Sequence, residues 1–341
     1  MSIMASSLNK DSLAIVSSEF IFKTENVSFA SCHASTIAET DEGLIASWFG
    51  GTNEGNPDVG IWVSRFNNGK WSNPIEVANG IQHKGLRYPT WNPVLFNTGK
   101  EVKLFYKIGL NCGDWWGEVI SSKDNGKTWS TAQRLPHEIW GPIKNKPIRL
   151  RNGDLICPSS TENNGWKVHF EITTDLGLTW ERTKNLNADS ILVIQPTILV
   201  HEGEKLQMLC RSQNKTIFTA WSYDKGRSWM NLTSTSLPNP NSGIDAVTLH
   251  DGRHVLIYNH IKPDSNWGAR NVLNMAVSTN GIKWNAALVL ENETDTKAEY
   301  SYPAVIQTKD GLIHITYTWK RKLIKHVVVD PSKLVIKPIW E

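Results

Sequence analysis

One octapeptide returns at near-constant spacing and limits what this chain can fold into. SKDNGKTW ends at Trp129, TTDLGLTW at Trp180 and SYDKGRSW at Trp229. A shorter STNGIKW ends at Trp284, and a degenerate SRFNNGKW ends at Trp71. Successive tryptophans stand 58, 51, 49 and 55 residues apart. Asp or Asn beside Gly supplies the positive φ that a tight hairpin turn demands. The trailing indole folds back under the turn as an apolar anchor. These boxes are therefore predicted to be structural, and their aspartates are not catalytic acids. They also absorb part of an unusual tryptophan content of 16.

A second signal runs in phase. Turn glycines at Gly43, Gly99, Gly153, Gly203, Gly252 and Gly311 are 56, 54, 50, 49 and 59 residues apart. Each has a β-rich run on both sides. Six units with four short strands each predict an all-β, six-bladed β-propeller. The expected blades are 24–80, 81–136, 137–188, 189–237, 238–292 and 293–330, in one domain over 1–341. The segment 13–22 is expected to add a strand to the last blade, so that the ring closes without an open edge.

Composition excludes some function classes. Lys and Arg number 36 against 33 Asp and Glu, so bulk nucleic-acid binding is not expected. No apolar run approaches ~18 residues, so no membrane partner is expected. Met1–Asp11 is polar, and Ser17, Ser18 and Glu19 interrupt the next apolar stretch. That reads as a strand rather than a secretion signal, and a cytoplasmic location is expected. Cys32, Cys112, Cys157 and Cys210 form no CxxC pair. They read as free thiols, with no metal and no cofactor expected.

The repeat frame locates a site. Seven to ten residues before each turn glycine stand His33, Asn92, Lys146, Gln195, Asp245 and Tyr302. All are polar, in runs that are otherwise apolar, and four adjoin a proline. At one phase of six inner strands they form a ring around a pocket mouth. Eight residues after the turn glycines come Gly51, Lys107, Thr161, Arg211, His260 and Trp319. Lys107, Lys146, Arg211 and Arg87 outnumber the carboxylate of Asp245, which calls for an anionic ligand. Loop tryptophans Trp48, Trp115, Trp116 and Trp267 offer faces on which sugar rings stack.

The boxes are the Asp-box, or BNR, motif, and the chain resembles the sialidase-like six-bladed propellers. ASCHASTIAE (30–39), WFGGTNEGNPDVGIW (48–62), RYPTWNPVLF (87–96), GPIKNKP (141–147), NPNSGIDAVTL (239–249) and EYSYPAVIQ (299–307) resemble a neuraminidase-like subgroup. The resemblance implies an arginine triad on a carboxylate, a Tyr nucleophile assisted by Glu, and an Asp acid. Tyr300 or Tyr302 supplies the tyrosine, Arg211 one arginine and Asp58 the acid. The first arginine motif of sialidases is absent, with His33 in its region, and Arg270 and Arg321 are candidates for the third.

Three activities are weighed against this inventory. β-Elimination on a uronic acid needs a cation to neutralise the carboxylate and groups that move protons. Arg211, Lys146 and Lys107 supply the first; His33, His260 and Tyr302 supply the second. That fits the rings better than sialidase-type hydrolysis, the alternative, or a non-catalytic glycan-binding propeller. The expected partner is an acidic oligosaccharide or polysaccharide.

Overall fold

The computed structural model describes residues 13–163 and 165–339. The Met1–Asp11 stretch read above for targeting lies outside them. Six antiparallel sheets follow one another along the chain, as the two repeat signals predict. Blade 1 holds Ser31–Thr40, Gly43–Gly51, Gly60–Asn67 and Lys70–Trp71. The innermost strands of the next four blades are Thr90–Asn97, Ile148–Arg149, Val193–Val200 and Asp245–Thr248. Blade 6 holds Tyr300–Gln307, Ile313–Trp319 and Leu323–Val329. Its fourth strand is Ile15–Phe20, with Ser18 opposite Val327 and Phe20 opposite Lys325. The expected closing strand thus makes the sixth blade. Among the described residues helix is confined to short 3-10 turns, and none could cross a membrane.

The box turns are built as their composition requires. Asn125 and Gly126 both have positive φ, 59° and 81°. Asp124 accepts from Ser122 Oγ at 2.7 Å, from the Thr128 N–H at 2.9 Å and from Thr128 Oγ1 at 2.5 Å. These hydrogen bonds, the Thr128 hydroxyl first, hold its carboxyl well below the usual range. Asp175 and Asp224 repeat the pattern. Trp180, Trp229 and Trp284 each donate their indole N–H to the carbonyl of their own turn glycine. Trp229 lies flat on Phe170 of the preceding blade, ring centroids 4.1 Å apart. The boxes therefore wedge adjacent blades together.

The inner strands carry a second repeated device. In blades 1, 2, 4 and 6 two residues of the inner strand face one of its neighbour. The extra residue sits in left-handed backbone: Ala34 (58°), Asn92 (28°), Gln195 (56°) and Tyr302 (51°). Such a bulge re-aims a side chain and interrupts the ladder. Proline follows in three of the four, where the missing N–H breaks no ladder bond.

Blades 3 and 5 lack this bulge, and their entering segments fill the axis instead. Lys144 Nζ donates to Ile244 O and to Asn145 Oδ1, both at 2.9 Å, and to Pro303 O. Asn145 Nδ2 donates to the carbonyls of Gln195 and Pro196, each at 3.1 Å. The channel therefore has a floor of hydrogen-bonded polar groups. Burial brings the Lys144 ammonium down to about 7, against a raising effect of Asp245.

Candidate active site

The bulges of blades 1, 2, 4 and 6 open on one cavity of about 230 Å³. His33, Asn92, Gln195 and Tyr302 line it, and Arg211 reaches it from the second strand of blade 4. It lies at the end of the axis where inner strands begin. The box turns lie at the other end.

Arg211 is 3% exposed. Its Nε and Nη2 donate to Asn241 Oδ1 at 3.0 and 2.6 Å, and Nη2 also to Asn241 O at 2.6 Å. Its Nη1 donates to the Tyr302 hydroxyl oxygen at 2.8 Å and to Gln195 Oε1 at 3.3 Å. All these partners are neutral, and among the described residues no carboxylate forms an ion pair with this guanidinium, although Glu162 acts on it through space. The other two arginines of the cavity differ. Arg270 pairs with Glu299 at 3.1 Å, and Arg321 pairs with Glu299 at 2.9 Å and Glu54 at 2.5 Å. Burial acts to lower the basicity of Arg321, but Glu299 and Glu54 outweigh it. Glu299 is the mirror case: burial acts to raise it, and Arg321 and Arg270 hold it below the usual range.

Two donors converge on the phenolic oxygen of Tyr302, Arg211 Nη1 and Gln195 Nε2, the latter at 3.2 Å. They orient its lone pairs and leave its O–H to point elsewhere. The resemblance implied a glutamate beside the tyrosine, and an amide is what touches it. The His33 ring lies 4.1 Å from that of Tyr302, centroid to centroid, with Nδ1 2.9 Å from Thr318 Oγ1. Burial, then Arg321, Arg270, Lys144 and Arg211, push this imidazole well below its ordinary range. His33 is thus neutral at neutral pH and can accept a proton or donate one hydrogen bond.

Several expected site residues stand elsewhere. Lys146 and Asp245 form an ion pair of 2.9 Å, and Lys146 borders a separate cavity with Ile37, Leu95 and Ile306. Asp245 also accepts from Thr197 Oγ1 at 2.7 Å and the Val305 N–H at 2.9 Å, so together with Lys146 it ties blades 3, 4, 5 and 6. Lys107 is fully buried and donates to the carbonyls of Asn92 and Pro142, its ammonium brought to about 7 by burial. His260 hydrogen-bonds Tyr258 and borders a groove with Lys215 and Ile339. Tyr300 is packed between blades 5 and 6, donates to Glu293, and is pushed up to about 12 by burial and that carboxylate. Asp58 is turned into its own loop, accepting from the N–H and hydroxyl of Thr52 at 2.8 and 2.9 Å. Arg87 donates to Asp58 O at 2.9 Å. Trp48 is buried against Phe22, and Trp116 donates to Glu118 at 2.9 Å under Arg134.

The cavity holds residues the ring argument did not name. Glu54 and Glu162 line it from loops, with Trp91, Cys112 and Trp166. Trp115, not its neighbour Trp116, faces inward, since successive residues at a strand's edge point opposite ways. Trp267, 56% exposed, stands at the rim with its ring 5.8 Å from both Arg211 and Arg270. A larger groove of about 690 Å³ opens between blades 4 and 5 on the box face. Its Trp221 is covered by Lys205, 4.2 Å from the ring centroid, and by His201 at 4.7 Å.

A family model described as the BNR repeat-like domain matches residues 42–315. Sialidases of Clostridium perfringens and Paraclostridium sordellii are each 34% identical, over 77 and 71 residues. These stretches are 23% and 21% of this chain and 19% and 17% of those proteins, so the match spans about a fifth of their length. A Hadza microbial sialidase superposes with a TM-score of 0.77 at 15% identity, over 93% of this chain and 69% of that one. The intramolecular trans-sialidase of Ruminococcus gnavus gives 0.72 at 13% identity, over 96% and 100%. A Dyadobacter fermentans protein of unknown function gives 0.74 at 16%, over 93% and 98%. At such identities the likeness is one of fold.

Proposed function

The chain belongs to the BNR repeat-like domain family, and from that premise we propose that it is a carbohydrate-active enzyme that holds the carboxylate of an acidic sugar on Arg211 and breaks the adjoining glycosidic bond with Tyr302 as nucleophile. One observation carries this reading: Arg211 is buried at the cavity floor with only neutral partners, beside two arginines already matched to carboxylates. A buried charge with no ion-pair partner is costly. A ligand carboxylate supplies it, displacing the long 3.3 Å contact to Gln195. Two relatives bear the name sialidase, and tyrosine is the known exception among glycosidase nucleophiles. In the proposed step the phenolic proton of Tyr302 passes to the neutral imidazole of His33, whose ring lies 4.1 Å away, as the Tyr302 oxygen bonds to the anomeric carbon and the bond to the leaving oxygen breaks. Water then releases the sugar, and His33 returns the proton to the phenolic oxygen.

Elimination remains a second reading because of Gln195 and His33. An amide cannot take the phenolic proton, whereas a neutral imidazole beside the phenol suits abstraction of a proton α to a carboxylate. Products separate the two. Glycosides of sialic and uronic acids should be incubated with the protein and analysed by mass spectrometry. Addition of water, with a sugar adduct on the Tyr302 peptide from a fluorinated mechanism-based analogue, supports the proposal. An unsaturated sugar without added water replaces it by elimination, and no product from any acidic glycoside refutes both.

A further inference from the structure

The nucleophilic reading above needs a proton donor for the leaving oxygen, and the inference here rests on it. We propose that Glu162 is that general acid. Asp58, the acid implied by resemblance, does not line the cavity and is committed to Thr52. Two carboxylates do line it, Glu54 and Glu162. Glu54 is engaged by Arg321 at 2.5 Å, which commits its carboxylate to an ion pair. Glu162 forms no ion pair with any described residue.

Its place in the ring fits the role. Glu162 follows the second strand of blade 3, Leu155–Thr161, whereas Tyr302 belongs to blade 6. Blades 3 and 6 are diametrically opposed in a six-membered ring, so the two groups face each other across the cavity. Displacement by a nucleophile requires this: attack on one side of the sugar and protonation of the departing oxygen on the other. Trp166 and Arg211 keep Glu162 in the site's field. The Trp166 ring lies 5.3 Å from the Arg211 guanidinium, and its side chain hydrogen-bonds Glu162. Burial raises the Glu162 carboxyl above the usual range, against the opposing pull of Arg211. A sugar carboxylate on Arg211 cancels that pull, so the substrate itself promotes protonation of its acid. In the step, the Glu162 proton moves to the glycosidic oxygen as that bond's electron pair departs with it. The carboxylate then takes a proton from the water that releases the sugar.

The test is leaving-group dependence. Wild type and Glu162→Gln are assayed on two glycosides of one acidic sugar, with an aryl leaving group that departs without protonation and an alkyl one that cannot. The expected loss is on the order of 10²–10⁴-fold for the alkyl glycoside and a few-fold for the aryl. The alkaline limb of the pH profile should vanish in the variant. The ratio of the two rates is independent of how much variant folds. Equal losses on both substrates, or the selective loss appearing in Asp58→Asn or Glu54→Gln instead, overturn the assignment of Glu162 while leaving Tyr302 as nucleophile. A wild type that turns over neither glycoside refutes the nucleophilic reading and the acid with it.

Discussion

Two cations face the propeller axis from opposite ends, and their surroundings differ in one respect. Lys146 meets Asp245 at 2.9 Å, and that carboxylate is buried, tied to Thr197 and Val305 as well. Arg211 meets an amide, a carbonyl and a phenol. The first end is electrostatically complete and joins blades; in the proposed reading a ligand carboxylate completes the second. An inward position is therefore not what marks a binding residue. In the proposed reading, the absence of an ion-paired carboxylate among the described residues is.

Substitutions at the proposed reacting end should have the largest effect. Tyr302→Phe keeps the ring and its packing against His33 and should lose on the order of 10²–10⁴-fold in kcat with an unchanged melting temperature. A wild-type rate would remove the phenol from the chemistry. Arg211→Lys keeps the charge but not the fork and should lower kcat/KM at least ~10-fold with little change in melting. At the completed end the signs reverse. Asp245→Asn strands a partly buried ammonium and should cost about 2–4 kcal/mol in denaturant unfolding, with kcat/KM on folded protein near wild type. Activity lost there without loss of stability would move Lys146 into the site.

The smallest effect sharpens the contrast on the box face. Burial and His201 lower His254 from about 6.5 to about 4. The unfolded chain therefore binds the extra proton first, and this contribution is complete above pH ~6.5 and is lost as pH falls toward ~4. His254→Gln should flatten the melting temperature across that window, read by calorimetry, while leaving the activity profile alone.

The turn boxes were legible because their information is local: an aspartate, a glycine and a hydroxyl within eight residues close one turn. The six blades and the closing strand followed from counting them. The site was legible where the chain keeps its period. Asn92, Gln195 and Tyr302 occupy the same bulge, and His33 stands one residue before its equivalent, Ala34. Lys146 and Asp245 were misplaced because blades 3 and 5 enter without a bulge. Their segments cross the axis and put Lys144, not Lys146, beneath Tyr302, with its ammonium 5.7 Å from the ring. Lys107 and Arg211 share a repeat position, yet the wall beside Lys107 is closed by Pro142 and Asn92. Glu54 and Glu162 lie on loops, which no strand period encodes. The one hint available was that Glu54 lies within the quoted segment WFGGTNEGNPDVGIW (48–62).

The sixth blade sets a condition on how the molecule acquires its shape. Glu19 and His326 stand opposite one another, as do Ile15 and Val329. They are paired across nearly the whole length of the chain. Every other sheet is assembled from neighbours in sequence and can form as soon as its own segment exists. The last must wait for two distant ends to meet, and closing so long a loop is the slow, entropically opposed event of the assembly. Until then the outer edge of Leu323–Val329 is open to any strand that reaches it, including one from a second molecule. A circular permutant that joins the present ends and opens a loop between two blades moves that vulnerability to a different sheet. Its refolding time and its tendency to pair between molecules should move with it.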